Sequence, residues 1–101
     1  MTMLTVPPLV GSRNQARKLL TDLPSMYRGG VEIQCGLISL ETPSFINEIV
    51  KIVLVERNCA WLCLVDPPEI TRDFAIESAD SMKVRDRLQF EFSDGFAKEH
   101  N

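Results

Sequence analysis

Histidine is nearly missing from this chain: its one histidine, His100, is the penultimate of 101 residues. Chain ends hold a catalytic base in fixed geometry poorly, so a serine or cysteine triad built on histidine is not expected. Cysteine is scarce as well. Cys35, Cys59 and Cys63 make no Cys-x-x-Cys pair and have no second histidine to join them, which argues against structural zinc and against a redox motif. Each lies in an apolar or strand-like context and reads as a reduced, buried thiol. The five glycines form no Gly-x-Gly-x-x-Gly or Walker-type loop, and Gly29-Gly30 precedes a strand, whereas phosphate-cradling loops follow one. No cofactor and no metal are expected.

Long apolar runs are also lacking. Ile49 to Val55 is interrupted by Lys51 and is far too short to cross a bilayer, and no basic stretch followed by an apolar block opens the sequence. The formal net charge is -3 and the pI about 5.1, so no global field draws the protein to phosphate backbones or anionic lipid. The expectation is a cytoplasmic protein with neither a nucleic-acid nor a membrane partner.

What remains is ordinary globular composition, 45% hydrophobic and 25% charged, which supports a sizeable core. The length suits one domain spanning 1–101, with a flexible arm at about 1–11 and a polar tail at about 93–101. Thr2 to Val6 can form a short edge strand, stopped by Pro7, Pro8 and Gly11. Ser12 and Gln15 have capping-box spacing, and Ala16, Leu19, Leu20 and Leu23 recur at helical intervals up to Pro24. Arg13, Arg17 and Lys18 fall on the other side of that helix, a solvated face able to meet an acidic partner.

After the turn at Arg28-Gly29-Gly30, Val31 to Leu37 alternates apolar with polar or small residues, predicting a strand with one face on the core. Thr42 and Pro43 read as N-cap and first residue of a second helix, with Ile46, Ile49, Val50 and Val53 on one stripe and an end near Arg57. Ala60 to Val65 is a continuous apolar run, as in a central strand covered on both faces. Strand, helix, strand predicts a parallel pair with a right-handed crossover. Asp66-Pro67-Pro68 can open a further helix with Ile70 and Phe74 facing the sheet. Leu88, Phe90 and Phe92 alternate with Arg87, Gln89 and Glu91 in a last strand.

The most informative segment runs from Leu40 to Val50. With Thr42 as N-cap, Ser44 occupies the second helical position, where unpaired backbone N–H groups and the positive end of the helix dipole favour an added phosphate. A phosphate there also adds ~1.5 to 2 negative charges beside Glu41 and Glu48. Ile52, Leu54 and Val55 widen the apolar surface of the same helix, enough to touch another protein or a second copy.

In this pattern of strand (Val31 to Leu40), turn (Glu41-Thr42-Pro43-Ser44), helix (Phe45 to Arg57) and strand (Ala60 to Val65), the chain resembles the STAS superfamily. That superfamily contains the anti-sigma-factor antagonists, and the short bacterial STAS-like domains are most similar to this chain. The resemblance implies a single-layer mixed sheet of about four strands with helices mainly on one face. It also implies a non-enzymatic regulatory role in which a GHKL-type ATPase or kinase phosphorylates the serine matched by Ser44. Thr42, Pro43 and Phe45 stand where the family has aspartate, serine and glycine. The partner surface would comprise Thr42, Pro43, Ser44, Phe45, Asn47, Glu48 and Lys51. Two rivals stand beside this reading. One is a constitutive assembly subunit, a homodimer joined through its apolar helix and last strand. The other is a small enzyme using Asp66, Glu69 or Asp73 at the carboxyl end of the central strand.

Overall fold

The computed structural model describes residues 2–8, 11–24, 26–39 and 42–93; the polar tail from 94 onward and Glu41 lie outside the described residues. Strand β1 (Thr2–Thr5) leads into helix α1 (Arg13–Leu20), strand β2 (Gly30–Gln34) into helix α2 (Pro43–Val50), and strand β3 (Trp61–Val65) into helix α3 (Glu69–Ser81). Strand β4 (Leu88–Glu91) completes a sheet of order β1-β2-β3-β4. The α/β class, the four strands and the single layer agree with the sequence reading. All three pairings are parallel, so the antiparallel component of a mixed sheet is absent among the described residues. The segment read as an arm begins as a paired strand, and Val6 N–H continues its ladder by donating to the Gln34 carbonyl at 2.9 Å.

Why the helices share one face follows from this order. Each strand pairs with the next, and right-handed crossovers that advance in one direction place every connecting helix on the same side. Accordingly α2 packs against both α1 and α3. Local chemistry sets the helix starts. Ser12 Oγ accepts from Gln15 N–H at 3.1 Å while Gln15 Oε1 accepts from Ser12 N–H at 3.1 Å, a complete capping box. Pro43 fills the first position of α2, where its missing N–H costs nothing.

Beyond Val50 the same helix widens into a π-helical stretch, Lys51–Glu56. Arg57 N–H donates to the Ile52 carbonyl at 2.8 Å, five residues back. This winding buries Ile52, Val53 and Leu54 in succession and leaves Val55 48% exposed. Of the extra apolar surface of the second helix, Ile52 and Leu54 are thus internal and Val55 faces outward. The broadened end is held by Arg87, which donates to the carbonyls of Leu54 and Cys59, each at 2.7 Å.

Helix α3 departs from the expected orientation. Ile70 is 58% exposed, and the buried positions are Thr71, Ala75, Ser78 and Ala79. These small side chains let α3 lie close to its neighbours, with Phe74 packed at the margin of the core. In β4, Leu88 is buried, whereas Phe92 lies beyond the strand and is 49% exposed.

The two faces of the sheet differ. Leu4, Val31, Ile33, Leu62, Leu64 and Leu88 join the helices in one core. Strand alternation and the registers Met3↔Glu32↔Cys63↔Gln89 and Thr5↔Gln34↔Val65↔Glu91 place the intervening residues on the opposite face. At its lower end Trp61 lies against Gly30. A Cβ on Gly30 would stand 2.0 Å from Trp61 Cε2 and 2.1 Å from Cζ2. Gly30→Ala should therefore destabilise the domain by about 1–3 kcal/mol through overpacking, read by urea denaturation, and should change the emission of the chain's single tryptophan. Unaltered stability and emission would mean that Trp61 is not seated on Gly30.

Candidate functional site

Helix α2 begins at the carboxyl edge of the sheet, in the loop after β2, and its first turn is the part most open to a partner. Thr42 and Pro43 are exposed and Ser44 is half-buried. The Thr42 hydroxyl does not cap the helix; it donates to the Gly11 carbonyl at 2.9 Å, tying this turn to the entry of α1. Ser44, Pro43 and Asn47 line a shallow cavity of about 240 Å³, completed by Arg13 from α1 and by Phe74, Glu77 and Ser78 from α3.

Arg13 connects that cavity to a buried charge. Glu48 on α2 is 2% exposed and pairs with Arg13 at 2.8 Å and Arg17 at 2.7 Å. Arg13 Nη1 also donates to Asn47 Oδ1 at 3.1 Å, and Asn47 Nδ2 donates to Ser78 Oγ at 3.1 Å. Arg17 reaches Glu56 at 3.1 Å, and Lys51 lies 3.8 Å from the same carboxylate. Burial alone raises the Glu48 carboxyl, but the hydrogen bond from Arg13 and the charges of Arg17, Lys51 and Arg13 outweigh it and hold it below its ordinary value. The hydrogen bond to Glu56, opposed by desolvation and aided by Glu48, holds Arg17 more firmly protonated. The acidic group that Arg13 and Arg17 meet is thus within the chain.

Of the positions expected to form the partner surface, Thr42, Pro43, Ser44, Asn47 and Lys51 are accessible to some degree. Phe45, 1% exposed, belongs to the core, and Glu48 is enclosed by its arginines. A partner docking on the folded surface does not reach those two side chains. The reason is helical phase: Phe45 and Glu48 lie on the same side as Ile49 and Ile52, the side turned toward α1 and the sheet.

The acids at the end of β3 do not gather into one site. Asp66 has a left-handed backbone, φ 53°, and its carboxylate accepts from Ser93 Oγ at 2.7 Å and Ser93 N–H at 2.8 Å. Those bonds hold it below its ordinary pKa. Glu69 and Asp73 instead flank Arg72, at 3.8 and 3.7 Å.

All three cysteines are buried. Burial pushes the Cys59 thiol up, against the charges of Arg57, Arg28 and Arg87. Cys63 is pushed up to about 11 by burial and by Glu91 and Glu32, which leaves it a thiol at neutral pH. Among the described residues, no group of three or more His, Cys, Asp or Glu could hold a metal ion, and no helix is long and apolar enough to cross a membrane.

No known protein family, curated protein or solved structure matches the chain. The site therefore rests on its own geometry. Arg13 and Arg17 are the residues whose role the sequence least revealed. Their spacing of four on one helix face, opposite a glutamate set within the apolar stripe Ile46, Ile49 and Val50, was the available signal.

Proposed function

We propose that this domain is a regulatory protein-interaction module whose partner reads the turn Thr42-Pro43-Ser44 together with Asn47 and Lys51, and that Ser44 is its phosphorylation site. The reading follows the resemblance to anti-sigma-factor antagonists, and the partner class is a GHKL-type ATPase or kinase. One observation carries it: Ser44 shares its cavity with Arg13, a half-exposed guanidinium already divided between Glu48 and Asn47. A phosphate on Ser44 sits at the positive end of the α2 dipole and competes with Glu48 for Arg13. Modification then alters both the charge of the turn and the tie between α1 and α2.

The topology supports a non-enzymatic role. In open α/β sheets ligands settle where the strand order reverses direction, and the order β1-β2-β3-β4 never reverses. The acids of the rival catalytic reading are taken up by Ser93 and Arg72. The homodimer reading loses most of its apolar helix surface, since Ile52 and Leu54 are buried.

The test combines two measurements. Wild-type protein incubated with native extract and ATP should acquire phosphate at Ser44, mapped by mass spectrometry, and Ser44→Ala should acquire none. Ser44→Asp, with unchanged circular dichroism, should lose at least ~10-fold of its recovery of an ATPase partner, the effect of one or two charge-assisted hydrogen bonds. Identical partners for wild type and Ser44→Asp, with Ser44 unmodified, would reduce Ser44 to a turn residue.

A further inference from the structure

A parallel sheet is normally covered on both faces, yet in this domain every connecting helix lies on one. Among the described residues no helix covers the other face, which has an apolar floor. Cys63 and Val65 on central strand β3 are 6% and 5% exposed and stand outside the helix-side core. Trp61 and Met3 flank them, and Met3 is 55% exposed. Long polar side chains lie over this floor: Gln34 Nε2 donates to Glu32 Oε2 at 3.0 Å, and the Cys63 thiol approaches Glu91 Oε1 at 4.0 Å. The face carries two carboxylates, Glu32 and Glu91, and none of its positions in the four strands is lysine or arginine.

We infer that this open face docks a basic, amphipathic protein segment. Charge complementarity selects it. A second copy placed face to face would bring four carboxylates into one interface without a cation, which desolvation penalises heavily. Anionic lipid and nucleic acid are repelled by the same charges. Size selects a segment over a large flat partner: three strand spacings of ~4.8 Å and four or five residues of ~3.3 Å give a patch about 15 Å on a side, room for one helix ~10 Å across. The apolar stripe of that helix would rest on Trp61 and Met3, and its lysines or arginines would pair with Glu32 and Glu91. This surface lies on the opposite side of the sheet from the Ser44 turn and stands independently of it.

Trp61 is the chain's single tryptophan, so the face reports its own occupancy. The experiment titrates the whole protein with a leucine–lysine amphipathic peptide of about 14 residues, ~21 Å as a helix, while following Trp61 emission. A saturable blue shift is expected, with no response to the matching leucine–glutamate peptide. Glu32→Gln/Glu91→Gln should raise the Kd at least ~10-fold, whereas Asp80→Asn, exposed on α3, should leave it unchanged. Should the double variant lose native circular dichroism, Glu91→Gln alone, exposed on the edge strand, should give about a threefold loss. The inference is overturned by an unresponsive Trp61, by an equal Kd in wild type and the glutamine variants, or by an equal loss with Asp80→Asn. Sedimentation showing concentration-dependent dimers that shift Trp61 emission without peptide would also overturn it, by making the occupant a second copy.

Discussion

Phe45→Ala should lower the stability of the domain by about 3–5 kcal/mol, the cost of removing a fully buried aromatic side chain from a core that cannot collapse around the void. Phe45 is 1% exposed and among the largest fully buried side chains. The change affects any partner binding only by unfolding the protein, since a domain of this size has a total stability of only ~5–15 kcal/mol. Chemical denaturation should show a large drop in midpoint, while Phe45→Leu, which retains most of the volume, should lose less than half as much. If Phe45→Ala kept its stability and lost only a partner, Phe45 would be a surface contact and the phase of α2 would be wrong.

The double variant Arg13→Met/Arg17→Met should lower the melting temperature by ~10 °C or more, because it leaves the Glu48 carboxylate buried without its two hydrogen-bonded cations. Removing the other partner should cost much less. Glu48→Met leaves two arginines with side chains 53% and 48% exposed, which water can solvate. The pH dependence should separate these cases. In the wild type the Glu48 carboxyl titrates below its ordinary value, so its contribution is fully present above the carboxylate range and is lost as pH falls through the lowered pKa. In the double variant burial, which raises the pKa, faces mainly the charge of Lys51. Acidification should then relieve the penalty, and melting temperature should rise toward mildly acidic pH, where the Glu48 contribution to the wild type is still complete and only stronger acid removes it. Parallel pH profiles for the two proteins would show that the ion pair is not formed.

Much of this architecture is legible from local chemistry. Ser12 and Gln15 announce the start of α1, Thr42 and Pro43 that of α2, and the unbroken run Leu62 to Val65 marks the central strand β3, although helices cover it on one face only. Legibility fails where the deciding partner is distant in sequence or the local signal has no phase. Ile52 to Val55 is uniformly apolar, so no polar residue marks the change to π winding that turns Leu54 inward and Val55 outward. In α3 the larger Ile70 attracts a hydrophobic reading, yet close packing selects Thr71, Ala75 and Ala79. Burial of Glu48 depends on arginines more than thirty residues upstream, and its place in the turn's sequence gives no hint of them. Ser44 and Asn47 lie where the helix start predicts them, while the cavity they share with Arg13 and Ser78 exists only once three helices are side by side.

The uniform strand order has a bearing on how the chain folds. Thr2 pairs opposite Val31, Val31 opposite Leu62 and Leu62 opposite Leu88, so the three closures span 29, 31 and 26 residues (31 − 2, 62 − 31 and 88 − 62). Closure entropy grows only with the logarithm of length, and these loops are nearly equal. No pairing must await a much longer-range one. The β2–α2–β3 unit touches both of its neighbours, which makes it the natural nucleus. Substitutions at Ile33, Ile49 or Leu64 should therefore slow folding, whereas those in β1 or β4 should chiefly speed unfolding.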